Sequence, residues 1–173
     1  MFGVAFLIGF SSNSIGDVAV ISPGSSNDVR IVQSDCARLA NAVYSGDVET
    51  VLAFTHPTVI ERMGGASQAT NVLKSTFQQF KSKGMKLDSQ MFPTEPIFLK
   101  SDRHNFAIVP TKSIVVAQGQ RLESLNYQFG IRDSGHTNWT YIEGSRINST
   151  NVVQLFPDFP KNFAFPTFYR KKL

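Results

Sequence analysis

Periodicity along the chain predicts an α+β domain, with helices first and an antiparallel meander after them. Three observations carry the prediction. Between Asp28 and Lys83 apolar residues recur at spacings of three and four, the period of one helix face. From Met85 onward they recur at every second residue, the period of a half-buried strand. The chain has 173 residues, 42% of them apolar and 17% charged, which suits one domain with a buried core and excludes disorder as its overall state.

Residues 1–10 (MFGVAFLIGF) are almost wholly apolar. They are too short for a membrane span, which needs about 20 residues, but they match the apolar part of a secretion leader. Residues 1–24 are therefore expected to be a leader or N-terminal extension, and the protein to be exported or periplasmic. The alternative is a buried N-terminal segment of a cytoplasmic protein. Ser25, Ser26, Asn27 and Asp28 are capping residues, and Val29, Val32, Cys36, Leu39 and Val43 place an amphipathic helix over 28–45. Gly46 is positioned to end it. Asp47 caps a second, short helix through Val48, Val51, Leu52 and Phe54, stopped before Pro57. Thr58–Arg62 reads as a short extended piece. Gly64 and Gly65 break the chain, and a third helix runs from Ala66 to Lys83 through Ala69, Leu73, Phe77 and Phe80.

In the meander, Met85, Leu87, Ser89 and Met91 alternate with Lys86, Asp88 and Gln90. The prolines of Phe92–Pro96 argue for a loop or an edge. Ile97–Leu99 is a short strand, and residues 104–117 form another with Pro110 as a bulge or edge point. Gln118–Gln120 turns the chain. Over 121–132, Leu125, Tyr127, Phe129 and Ile131 share one face, and Ser124, Asn126, Gln128 and Arg132 share the other. Trp139–Ile142 is the last clear strand, ended by Gly144. Residues 151–173 hold five phenylalanines and three prolines. They read as an extended segment laid over the domain, its rings filling surface grooves, or as an arm that docks a partner.

The formal net charge is +4. Residues 161–173 carry Lys161, Arg170, Lys171 and Lys172 and no acid, which leaves 13 basic and 13 acidic side chains in the rest. The basicity is thus assigned to the tail, and no nucleic-acid partner is expected. The single cysteine, Cys36, cannot form an internal disulfide or a thiolate zinc site. His104 and His136 lie near Asp102 and Asp133 but have no third ligand at a definite spacing, so no metal is expected. No phosphate loop, dinucleotide fingerprint or Gly-x-Ser-x-Gly elbow occurs in the sequence, and no cofactor is expected.

The stretches Leu39–Val51 (LANAVYSGDVETV), Thr55–Gly65 (THPTVIERMGG) and Asn138–Gly144 (NWTYIEG), in this order around a long meander, resemble the nuclear transport factor 2-like superfamily. The resemblance covers about residues 28–147. It implies three N-terminal helices packed in a strongly curved antiparallel sheet, a cone-shaped roll over 25–150 with a pocket at its open end. The members it resembles most are small exported bacterial domains of no assigned activity. The superfamily also holds isomerases, dehydratases, hydrolases and plain binding modules, so the fold alone implies little about function.

Within such a pocket, His56 can bind an anion or act as a base; the alternative is a helix-end histidine favoured by the dipole. Tyr44 and Tyr127 are candidate hydroxyl donors, and either can instead be core. One of Glu61 and Arg62 can face inward, although a surface pair is the simpler reading. Met63, Phe77, Phe129, Trp139 and Tyr141 are the candidates for lining the cavity. Two readings follow. In the first, the chain is a non-catalytic binding or accessory module for a small apolar ligand. Alternatively, the outer sheet face makes a homodimer, for which the polar strand face of Ser124, Asn126 and Gln128 can serve. In the second, it is a lyase or isomerase resembling the ketosteroid isomerase branch, with His56 as base and Tyr44 or Tyr127 as donor to a developing oxyanion. The second reading requires His56 and a tyrosine hydroxyl to meet in one cavity.

Overall fold

A computed structural model of the protein describes residues 21–22 and 24–173. The leader expected over 1–24 falls almost wholly outside the described residues. The architecture is α+β, with N-terminal helices followed by a curved antiparallel sheet that does not close into a barrel.

The first long helix, α1 (Ser26–Ser45), starts where the Ser25 hydroxyl accepts the Asp28 N–H and ends at Gly46, whose φ of 81° is the left-handed conformation glycine tolerates. It buries Val32 and Cys36 of the face its period marks, together with Ala42. The helix α2 (Val48–Phe54) is capped by Asp47, which accepts the Thr50 N–H at 3.0 Å. Thr58–Arg62 is not extended. Pro57–Arg62 is a helix, α3, with Pro57 in its first turn, where the fixed φ suits the helix and the missing N–H is no loss. The His56 ring accepts the Thr58 N–H as its cap. The last of the four, α4 (Ala66–Ser82), buries Ala69.

The sheet is built on one long hairpin, β4 (His104–Ala117) and β5 (Gln120–Asp133), paired without a slip over its whole length. Gln118 and Gly119 make the turn with φ of 51° and 75°, the mirror-image geometry that matches strand twist. At one end β3 (Ile97–Lys100) pairs with β4, and β6 (Thr140–Glu143) pairs with β5. At the other end β2 (Lys86–Met91) pairs with β4, and β7 (Tyr169–Lys172) pairs with β5. Pro110 falls between the stretches of β4 that pair with β3 and with β2, the edge position its missing N–H requires. The two-residue strand β1 (Ile21–Ser22) pairs with β3.

Both faces of the sheet are covered, so Phe106, Ala107, Ile108 and Val109 are consecutive and all fully buried. On one face Ala107, Val109, Trp139 and Tyr141 meet Val32 and Cys36 of α1. Gly130 makes room there: a Cβ would press on Ala107 and on the Tyr141 and Trp139 rings at 3.2–3.3 Å. On the other face Phe106, Phe129, Tyr127 and Ile131 meet Ile147, Val152, Phe156 and Phe159.

That second layer corrects the reading of the tail. Residues Ser149–Leu155 form a helix, α5, capped by Asn148 and Asn151 in reciprocal hydrogen bonds, so the expected boundary at 150/151 falls inside an element. Phe156 and Phe159 are core residues at 3% and 2% exposure, not rings in surface grooves. Large aromatic rings are drawn under cover because each removes more apolar area from water than any other side chain. The end of the tail is strand β7.

The same alternation revises the expected dimer face. Ser124, Asn126 and Gln128 share a face with Gly130 and, across the hairpin, with Thr111 and Val109, the side that packs on α1. They look toward the helices, while the opposite face at Tyr127 and Phe129 lies under the C-terminal layer.

Candidate functional site

Two grooves open on the helical side, and a cluster of polar side chains lies on the other. The first groove, of about 490 Å³, lies where the end of α1, the length of α4 and the start of β2 come together. Val43, Tyr44, Val48, Phe77, Phe80 and Met85 supply apolar surface, and each is half-buried rather than closed into the core. Tyr44 stacks on Phe80 at 6.0 Å between ring centroids, and Phe80 lies 6.3 Å from Phe77. Burial pushes the Tyr44 phenol above its ordinary value, with Arg170 of β7 acting against this and Glu143 adding to it. The hydroxyl therefore stays protonated and is available as a donor.

Lys74, Lys81 and Lys86 complete this lining, with Gln78 beside them. Lys74, Phe77, Gln78 and Lys81 follow the three-and-four spacing of a single helical stripe. No carboxylate is in the lining set. Of the acids near it in sequence, Asp47 caps α2 and Asp88 pairs with Arg121, while Glu49 is exposed on α2 outside the lining. Among the described residues, none of these three lysines forms an ion pair.

The second groove, of about 460 Å³, runs between α1, α2 and the approach to β6, and is lined by Asp35, Arg38, Phe54, Asn138 and Trp139 among others. Asp35 accepts the Tyr141 hydroxyl at 3.0 Å. Burial raises the Asp35 carboxyl, and the Tyr141 hydrogen bond and Arg38 pull it back. Arg38 lies over Phe54 and Arg132 over Trp139, at 5.0 and 4.4 Å from the ring centroids. The aromatic walls of this groove are thus already covered by the protein's own cations.

On the opposite face, the His104 Nδ1 lies 2.7 Å from Asp158 Oδ2, the same oxygen to which the Ser101 hydroxyl donates. Burial pushes the Asp158 carboxyl up, but the hydrogen bonds from Ser101 and His104 outweigh it and hold the group below its ordinary value. Serine and histidine sit side by side on one carboxylate. The Ser101 hydroxyl also donates to the His104 carbonyl and accepts the His104 N–H, but among the described residues it makes no bond to the imidazole, so this is a structural tie between β4 and the C-terminal layer rather than a nucleophile and its base.

The sequence candidates are dispersed. Tyr44 and Phe77 line the first groove and Trp139 the second. Tyr141 is buried at 2% exposure behind Asp35. Phe129 is in the core beneath the C-terminal layer, and Met63 caps the end of α3. Tyr127 is in that same core, its hydroxyl donating to the Ile147 carbonyl at 2.9 Å. Glu61 and Arg62 are both exposed on α3. His56 lies edge-on to Phe156 and lines neither groove. Its Nδ1 accepts the Thr58 N–H, so the lone pair a base would use is engaged by the backbone. Burial holds the imidazole below its ordinary value, against Asp133 and with His104. Neither His56 nor Tyr127 is in the lining of the groove that Tyr44 lines.

The balanced charge of the chain outside its tail hides these lysines. Between Glu61 and Asp88 the sequence holds Arg62, Lys74, Lys81, Lys83 and Lys86 and no acid, a window that was legible once charge was counted locally. Against this geometry, comparison with known proteins gives no guide: no family model, no curated protein and no solved structure matches the chain.

Proposed function

We propose that the chain is a binding module that holds a small apolar ligand in the groove between α1, α4 and β2. The observation that carries this is the half-buried set of Tyr44, Phe77, Phe80 and Met85 around a groove of about 490 Å³, within the size range of small-molecule sites. The lining combines apolar surface with donors and holds no carboxylate or imidazole to move a proton. In this reading the module belongs with the nuclear transport factor 2-like proteins, supported by its helices-then-curved-sheet order, and works outside the cytoplasm, supported by the apolar run at 1–10.

Titration with the neutral fluorescent probe N-phenyl-1-naphthylamine tests the reading. A saturable fluorescence rise is expected, and the exchange Phe77→Ser, which removes one wall, is expected to weaken binding about tenfold while the far-UV spectrum is kept. Absence of saturable binding to the folded protein, or binding indifferent to Phe77→Ser, would overturn it.

A further inference from the structure

The chemistry of the groove's rim narrows the ligand further, on the assumption that the groove is the binding site. Its rim carries three lysines on two elements, and no carboxylate is among the lining residues. Asp47 and Asp88 flank the groove in sequence and are engaged by the fold, one as the cap of α2 and one with Arg121. By contrast, Lys112 and Lys171 at the same end of the sheet converge on Glu123, each at 3.0 Å. Among the described residues Lys74, Lys81 and Lys86 form no such pair.

The tail strand adds one further cation whose charge is felt at the groove wall. Arg170 of the acid-free tail strand acts on the Tyr44 hydroxyl, against burial and the Glu143 carboxylate. Positive charge set around an apolar recess attracts an anion carrying an apolar body, because the body leaves water while the charged head stays at the rim. The Tyr44 hydroxyl and Gln78 add neutral donors beside the cations.

We infer that the groove selects a monomeric anionic amphiphile, a small carboxylic acid with a linear or aromatic tail, whose apolar part lies on Tyr44, Phe77 and Phe80 and whose carboxylate meets Lys74, Lys81 and Lys86. The recess is sized for one small molecule, which favours a free ligand over a membrane surface.

The test displaces N-phenyl-1-naphthylamine from the full chain at neutral pH with decanoate, decanol and decyltrimethylammonium, which share a tail and differ in head charge. Decanoate is expected to bind about tenfold more tightly than decanol, with the ammonium weakest, and the difference is expected to shrink as salt is raised. The triple variant Lys74→Gln, Lys81→Gln, Lys86→Gln should lose the preference but keep decanol binding. The corresponding triple arginine variant should keep both. Equal displacement by decanoate and decanol would overturn the inference while leaving an apolar-ligand module standing. A preference that survives the glutamine variant would overturn it by placing the anion elsewhere. Capture by phosphatidylglycerol vesicles without displacement by monomeric decanoate would also overturn it, in favour of a lipid surface. Failure of the probe itself to bind would remove the module reading and the inference together.

Discussion

Glu123 sits on the face of β5 that also carries Tyr127 and Phe129, yet it is a carboxylate at 6% exposure. It persists there because Lys112 of β4 and Tyr169 and Lys171 of β7 all donate to it. Those contacts, that from Lys112 the largest, hold its carboxyl down at about 2. A carboxyl lowered by folding adds stability that is complete above its unfolded value, near 4.5, and is lost as pH falls through the folded value. Amide exchange along Tyr169–Lys172 is therefore expected to speed up as pH drops from about 4.5 toward 2, after correction for intrinsic exchange. In Glu123→Gln it should already be fast at neutral pH and should lose that acid dependence. Tyr127 shows the neutral counterpart. Removing its hydroxyl in Tyr127→Phe leaves the Ile147 carbonyl without its donor in the core, and chemical denaturation should show a loss of about 1–3 kcal/mol.

At the scale of elements, Gly144 decides how β6 turns into the segment leading to α5. A Cβ there would collide with the Tyr127 carbonyl oxygen and ring, and backbone cannot yield as a flexible side chain does. Gly144→Ala is expected to destabilise the fold by about 3 kcal/mol or more, read from the shift of the urea midpoint. Legibility in the sequence also divides by element. The helices α1, α2 and α4 and the hairpin were readable because their capping residues, apolar period and turn residues agree with one another. The helix α3 was misread because six residues are too few to show a period, and only Pro57 in its first turn marks it. The helix α5 leaves little trace in the sequence because the seven residues after its cap, Asn148, are too few to show a period. In the groove, Tyr44 and Phe77 were legible as aromatic side chains, whereas their meeting with Lys86 depends on β2 folding back along α1. That is a tertiary contact which no local pattern encodes.

For the molecule as a whole, the deciding question is whether the C-terminal layer is part of the fold or an arm attached to it. The sheet at Phe106 and Phe129 has one face on α1 and would have the other in water without Phe156, Phe159 and Phe165. Phe156 and Phe159 each lie within 6 Å of both sheet rings, at centroid distances of 5.0–5.8 Å, and Phe159 stacks on Phe165 at 5.6 Å. Asp158, bonded to Ser101 and His104, pins the same segment to β3 and β4. An antiparallel sheet with an aromatic face left bare would not stay monomeric in water. Truncation before Phe156 is therefore expected to abolish the cooperative unfolding transition, and Phe159→Ala in the full chain to cost about 3–5 kcal/mol of stability. The pair of measurements separates the two roles. A docking arm would allow the truncated chain to melt cooperatively near its original midpoint and would leave Phe159→Ala close to neutral, whereas a core layer makes both losses large and shifts them together.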